Sequence, residues 1–402
     1  MKLFFDAIAN ELNGISFSST EVSDGDFAAF VDIAAIQKVL PIAGEALLIS
    51  DEISLTNDKS VFLRGIITHL VATQTLHTAA FLSLYRELEK NNLRPCVVKG
   101  VVCARLYPQP DARLSGDFDL LISPCEAEKY ADVLKRHGFE TVNKDDKSFD
   151  SFEMTFARRA GLRLEVHKAL FPPYGRTAKL NDVLGDVFSD CVELMTDGIS
   201  VRTLSPTRHL LYLILHAFKH FVMSGFGIRQ VCDIALFAKA YAKEIDAEFV
   251  AESLFSVRAA VFASAVFGVA IARLGFSSND FLSLILLLPQ NVDPSPLAAD
   301  IVSGGIYGGE KERQHAAAVT MNVFLSSSEE KRAGLRSVFP DRHYMADRYP
   351  YVKKSPLLLP AAWCRRIASY VLESARDGKK ASGALEIGRR RTKLLKYYGI
   401  ID

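Results

Sequence analysis

This 402-residue chain has no charge excess of either sign: Lys and Arg total 48 against 47 Asp and Glu. So balanced a field exerts no long-range pull on nucleic acid or on an anionic membrane surface, and any polyanionic partner needs a local basic patch. The six cysteines, Cys96, Cys103, Cys125, Cys191, Cys232 and Cys364, include no Cys-x-x-Cys pair, which removes the signatures built on that spacing. Several lie in apolar runs, as small buried hydrophobes do. Free thiols in a reducing cytoplasm are therefore expected. No uncharged apolar run reaches the roughly 20 residues of a membrane span; the longest, about 259–272, reads as a buried helix. The opening Met1-Lys2-Leu3-Phe4-Phe5 stops at Asp6, short of a signal peptide. Internal repeats and low-complexity tracts are also lacking. A cytoplasmic protein with no membrane partner is the expectation.

Apolar residues make up 49% of the chain, enough for a substantial core. Its length suits two or three domains. Helical spacing of apolar residues runs from about Asp26 to Leu48 and again from about Lys59 to Asn91. After Pro95, the short run Cys96-Val97-Val98 ends in Lys99-Gly100, and a helical stretch from Val101 to Tyr107 is stopped by Pro108 and Pro110. A helix from Glu126 to about His137 is closed by Gly138 at a favoured C-cap. Strand-like runs Phe152–Phe156 and Leu162–His167 suggest a hairpin, and a second is expected around Asp197-Gly198. Ser205-Pro206 then starts a helix. Further helices are expected at about 206–222, 228–243, 247–274 and 279–288, followed by a polar loop near 290–298. The division is a helical segment over 1–90, an α/β core over 91–204 and a helical domain over 205–402.

The most informative run is Gly116-Asp117-Phe118-Asp119-Leu120-Leu121-Ile122. Strand side chains alternate, so Asp117 and Asp119 project from one face while Phe118, Leu120 and Ile122 face a core. Adjacent carboxylates raise each other's pKa unless a cation lies between them, and a divalent metal is the simplest compensation. The pair reads as a Mg2+ site.

A strand, Lys99-Gly100, a short helix, the Asp-x-Asp strand and a later strand with Glu165 together resemble the nucleotidyltransferase superfamily built on the DNA polymerase β palm. Within it the chain is most similar to the uncharacterised nucleotidyltransferase family. The resemblance rests on Val97-Val98-Lys99-Gly100, Tyr107-Pro108, Arg113, Gly116 to Ile122, Gly138-Phe139 and Leu164-Glu165-Val166-His167. It continues in Leu213 to His220 and Val231 to Ala235, covering about Phe30 to Tyr241. It implies an α+β fold: a small mixed β-sheet palm with helical segments on either side.

It also implies transfer of a nucleoside monophosphate from an NTP to an acceptor, with release of pyrophosphate. Asp117, Asp119 and Glu165 would hold two Mg2+ ions roughly 3.5 to 4 Å apart, which stabilise the attacking and leaving oxygens of an in-line displacement. Lys99 and Gly100 are assigned to the triphosphate, because a glycine turn opening a helix lets backbone N–H groups approach a phosphate. Here Gly100-Val101 replaces the superfamily's Gly-Ser, so a hydroxyl contact is missing. Arg113 is placed on the γ-phosphate or the acceptor, and Gly116 leads into the acidic strand at the same site. His167 shares a face with Glu165 and either touches the acceptor or metal shell or is structural.

His209, His216 and His220 recur on one helical face. Packing of this helix on the cleft, with Lys219 or His220 near the nucleotide, stands beside plain core packing, and zinc is disfavoured. Asp233 is expected to pair with Arg208 or Arg229. The C-terminal basic residues, Arg365, Arg366, Arg376, Lys379, Lys380, Arg389, Arg390, Arg391, Lys393 and Lys396, read as a solvated face before an RNA-binding one. The expected partners are an NTP and a small-molecule or peptide acceptor. Two alternatives stay open: a metal-dependent glycosyltransferase using a nucleotide-sugar, and a non-catalytic nucleotide-binding module.

Overall fold

A computed structural model describes residues 2–18, 21–142, 152–159, 161–173, 177–223, 225–304, 342, 345, 349, 351–376 and 391–401. Its centre is a five-stranded mixed sheet in the order β1-β2-β5-β4-β3. The strands are β1 (Cys96–Val98), β2 (Phe118–Leu121), β3 (Glu140–Thr141), β4 (Glu153–Ala157) and β5 (Arg163–His167). β2 pairs antiparallel with β1 and parallel with β5, setting Asp119 opposite Glu165 and Leu121 opposite His167. β4 and β5 form the expected antiparallel hairpin, with Glu153 opposite His167.

This register divides the sheet into two chemically distinct faces. Phe118, Leu120, Leu164, Val166, Met154 and Phe156 are buried on one, the core face expected from the alternation in Gly116–Ile122, and the sheet with its flanking helices is the α+β palm that the resemblance implies. Four helices precede it: α1 (Lys2–Asn13), α2 (Asp24–Ile36), α3 (Leu40–Ile49) and α4 (Asn57–Lys90). α4 has 34 residues, so it is about 50 Å long. Its Phe81 stacks on Phe118 with centroids 4.3 Å apart and planes 9° from parallel, joining the helical segment to the acidic strand. One turn of helix, α5 (Gly100–Ala104), follows β1, and α6 (Ala127–Arg136) joins β2 to β3.

After α7 (Ala178–Leu184), the hairpin β6 (Val192–Thr196) and β7 (Ile199–Thr203) turns at Asp197 (φ 46°) and Gly198 (φ 73°). Two successive positive φ angles suit a tight hairpin turn, and Asp-Gly tolerates them. Thr203 Oγ1 donates to the Val97 carbonyl at 2.7 Å, tying this hairpin to β1. The helices that follow are α8 (Pro206–Met223), α9 (Ile228–Ala240), α10 (Ala247–Ser256), α11 (Ala260–Leu274), α12 (Leu282–Ile285) and α13 (Ser295–Gly304). Beyond them lies the helix Leu359–Arg376.

Several expected helices are divided. Lys38, at φ 55°, separates α2 from α3, and Arg258, at φ 60°, separates α10 from α11. The loop expected near 290–298 already contains the start of α13, where Asp293 accepts from the Ser295 N–H at 2.9 Å. α7 carries too few turns to stand out in the sequence; α1, with 12 residues, is not among the expected helices either, and its Phe4, Phe5 and Ile8 are buried in the same core as Leu395, Tyr398 and Ile400. Arg391 is buried beside Asp300 at 3.3 Å and donates to the Phe221 carbonyl. It is therefore no part of a solvated basic face. Lys379, Lys380, Arg389 and Arg390 lie outside the described residues.

Replacing Phe118 with Ala empties a ring-sized volume between α4 and β2. A loss of about 3–5 kcal/mol is expected, read from the urea midpoint; a loss below about 1 kcal/mol would show that the Phe81 stack is not a principal joint.

Candidate active site

The second face of the sheet is polar. Asp119 and His167 are buried, Asp117, Glu165 and Glu153 are half-buried, and all of these belong to β2, β4 and β5 or the residue entering β2. Across from them α8 presents His216, Lys219 and His220, and α9 presents Arg229 and Asp233; together with Lys99 and Gly100 they line a cleft of about 300 Å³. That is the small end of ligand-pocket size. The sheet supplies an acidic floor and the helices a largely basic roof.

Asp119 is the most connected group. Its Oδ2 is 3.0 Å from Lys99 Nζ and its Oδ1 is 3.1 Å from His167 Nε2. Burial opposes its ionisation, but Lys99 and His167 outweigh this and hold its carboxyl well below the usual range. Burial likewise opposes the Lys99 ammonium, and attraction led by Asp119 keeps it protonated beyond its ordinary value. Among the described residues Glu165 has only looser partners, Arg163 Nη2 at 4.0 Å and His167 Nε2 at 3.8 Å. Burial first, then repulsion from Asp117 and Asp119, pushes its pKa up to about 8.

Asp119, Glu165 and His167 each offer a ligand atom within 4.8 Å of the others. Among the described residues His167 Nδ1 is buried without a hydrogen-bond partner, since Glu153 Oε2 stands 3.6 Å away, too far for one. Two crowded carboxylates with an imidazole beside them are a donor set that fits a divalent cation.

Lys99 is held in a special backbone state. Its φ of 60° and ψ of −135° lie outside the regions favoured by a side-chain-bearing residue, and Gly100 follows at φ 44°. His209 fixes the turn: its Nε2 accepts from the Lys99 N–H at 3.3 Å, and its Nδ1 is 3.2 Å from Thr203 Oγ1. The turn aims the ammonium between Asp119 and His216 Nε2, 3.1 Å away. His216 and His220 meet at 3.2 Å. Burial foremost, then neighbouring lysines, keeps both imidazoles neutral, and burial and Lys99 lower the Lys219 pKa.

Arg113 is placed differently from the expected phosphate contact. Its Nε and Nη2 donate to the two Asp233 carboxylate oxygens at 2.7 and 2.6 Å, and its Nη1 donates to Ser115 Oγ at 2.8 Å. Tyr107 OH adds a third bond to Asp233 at 2.8 Å. The partner of Asp233 is thus Arg113, not Arg208 or Arg229: Arg208 pairs with Asp190, and Arg229 donates to the Leu114 carbonyl. Gly116 is exposed, and a side chain there would meet the Lys38 ammonium, 2.8 Å from the Cβ position. Lys38 feels Asp117 and Arg229. Sequence reasoning missed it because it arrives from the turn between α2 and α3. It also missed Glu153, although period-2 alternation against His167 was available across the hairpin.

The family described as Uncharacterised nucleotidyltransferase matches residues 23–275, more than half of the chain. The chain belongs to that family. As a member of the uncharacterised nucleotidyltransferase family it is supported as a transferase of nucleotidyl groups, and the match runs from the start of α2 to the end of α11. None of the curated proteins matches it. Among solved structures, an antigenic nucleotidyltransferase-like protein from Paracoccidioides brasiliensis is similar, at 16% identity and a TM-score of 0.31, over 52% of this chain and 96% of that one. Among the described residues of this nucleotidyltransferase-family chain, no helix is long and apolar enough to cross a membrane.

The Glu165 charge destabilises the fold when no cation offsets it. Its unfolded carboxyl ionises near 4.5 and its folded one near 8, so its contribution to stability falls as pH rises between these values and stays low above them. Glu165→Gln should raise the melting temperature of the metal-free protein at pH 9 and leave it nearly unchanged at pH 4.5. Equal shifts at both pH values would show that the carboxylate is not under this repulsion.

Proposed function

We propose that this protein is a Mg2+-dependent enzyme that moves a nucleoside monophosphate from an NTP to a hydroxyl acceptor and releases pyrophosphate. The observation carrying this reading is the parallel register of β2 and β5, which sets Asp119 opposite Glu165, with Asp117 preceding on the same face. Asp117, Asp119 and Glu165 are the residues that would hold the metal, with His167 at its edge. Divalent cations bound there supply charge stabilisation at the transferring phosphorus and lower the pKa of the acceptor hydroxyl.

The chain's own groups divide the remaining work. The anionic triphosphate fits beneath the roof, where Lys219 and Arg229 are the cations, while His216 Nε2 accepts from the Lys99 ammonium. Gly100 lets the backbone come near a phosphate beside Lys99. Arg113, committed to Asp233, positions the loop that enters β2 and keeps Asp117 facing the cleft. The half-buried floor limits water at the reacting phosphorus. The acceptor enters this reading as a small molecule or peptide, and cytoplasmic location stays part of the proposal.

One observation favours a second reading, a nucleotide-binding module without turnover. Lys99 Nζ, 3.0 Å from Asp119, already offsets the charge that a metal would offset. Melting temperature and pyrophosphate release separate the two readings. With Mg2+ and an NTP at a hundredfold excess over Kd, stabilisation of about 2.7 kcal/mol is expected, lost in Asp119→Asn and Lys219→Met. In an acceptor screen, pyrophosphate should appear with the native protein and fall by at least about a thousandfold in Asp119→Asn, roughly 4 kcal/mol of barrier. Stabilisation without pyrophosphate would favour the module; neither response with any NTP would remove the nucleotidyl-transfer reading.

A further inference from the structure

Two thiols outside the cleft are brought together by the β6–β7 hairpin. Cys96 begins β1 and is buried; Cys191, immediately before β6, is half-buried. Although 95 residues apart in sequence, their Sγ atoms are 3.5 Å apart. The surrounding chain holds them side by side. Arg94, just upstream of Cys96, pairs with Glu193, just downstream of Cys191, at 2.6 Å, while Thr203 binds the Val97 carbonyl from β7.

The two sulfurs have unequal roles. Cys191 donates to the Val187 carbonyl at 3.1 Å, so the hydrogen between the sulfurs comes from Cys96. That bond, with Arg202 nearby, lowers the Cys191 pKa, whereas the same bond and burial raise that of Cys96. A half-buried thiol that a small molecule can reach, with a fully buried thiol 3.5 Å behind it, is the arrangement of an attacking and a resolving cysteine.

We propose that Cys96 and Cys191 form a reversible disulfide, Cys191 attacking and Cys96 resolving, and that this modification reaches the cleft through β1. The oxidant is a small-molecule disulfide such as oxidised glutathione. The Cys191 thiolate bonds to one glutathione sulfur and expels the other as thiolate. Cys96 then loses its proton and attacks the Cys191 sulfur, forming the protein disulfide and expelling the second glutathione. The protein loses two hydrogens and two electrons, and one oxidised glutathione becomes two reduced ones.

Bond formation draws the sulfurs from 3.5 Å to about 2.05 Å. Cys96 is on the strand that ends at Lys99, whose turn has φ 60° and ψ −135° and whose ammonium neutralises Asp119. Movement of β1 is therefore transmitted to the least relaxed backbone of the cleft. The proposal does not depend on nucleotidyl transfer being the reaction.

The experiment uses full-length protein carrying Cys125→Ser and Cys364→Ser, which removes the two exposed thiols, equilibrated over a range of oxidised-to-reduced glutathione ratios. Intact mass and peptide mapping should show loss of two hydrogens, a Cys96–Cys191 cross-link and reversal by dithiothreitol. Adding Cys96→Ser should trap a glutathione adduct on Cys191, while adding Cys191→Ser should leave Cys96 unmodified. Hydrogen exchange of amides 97–103 should change on oxidation only when both thiols are present. A stable glutathione adduct with both thiols present, or no cross-link at any ratio, would overturn the disulfide. A cross-link with unchanged exchange at 97–103 would overturn its connection to the cleft.

Discussion

Carboxylates gathered on one face of a sheet repel one another, and most of the cleft's architecture follows from reducing that repulsion. Parallel pairing of β2 with β5 fixes Asp119 against Glu165, and Asp117 shares their face. Of these, Asp119 is answered within the chain by Lys99 and His167 at about hydrogen-bond distance. Glu165 is answered only at longer range, by Arg163 at 4.0 Å and His167 at 3.8 Å, and its raised pKa records the difference. The asymmetry gives neighbouring carboxylates different protonation behaviour from one piece of sheet, set by which one a lysine can reach.

Reaching Asp119 requires Lys99 to adopt a backbone conformation that costs of order 1–3 kcal/mol. Buried His209 and Thr203 stabilise this turn from β7 and α8, so the lysine's position is a property of several elements. Arg113, Asp233 and Tyr107 form a second buried assembly that links α9 to the loop before β2. A buried ion pair of this kind fixes geometry more surely than it adds stability. The cleft is framed by two such polar clusters, one aiming a cation and one bracing a loop.

The palm was legible in the sequence because its signals are local. Alternation in Gly116–Ile122 and in Leu162–His167, the Asp-Gly turn and the proline stops mark strands without knowledge of tertiary contacts. Asp117 and Asp119 stand out from that alternation, Glu165 comes with the family resemblance, and the structure brings these acids, Lys99, Lys219 and His220 to one cleft. What was illegible depends on distant partners. Arg113 reads the same in sequence whether it meets a phosphate or Asp233, 120 residues away. Lys38 enters from an α2–α3 break that apolar periodicity runs straight through, since a single residue at φ 55° leaves no compositional mark. Within the basic C-terminal cluster Arg365, Lys393 and Lys396 are exposed as expected, whereas Arg391 has the charge of a surface residue and the surroundings of a core one.

Parts of the molecule far apart in sequence meet around the helical layer that carries the cleft's roof. Asn13 donates to the Leu274 carbonyl, 261 residues on, and Gln37 to that of Ile301, 264 residues on. Gln37 also accepts from the N–H of Ile228, the first residue of α9. Arg391 reaches back 170 residues to Phe221, at the end of α8. Contacts of such separation close large loops, whose entropy is lost before the contacts form. During synthesis the sheet and its acids can therefore assemble while α8 and α9 still lack these fastenings. The roof is fastened by residues translated after it, Ile301 through Gln37 and Arg391 directly, so its placement over the acidic floor waits on segments that the floor's own strand pairing does not include.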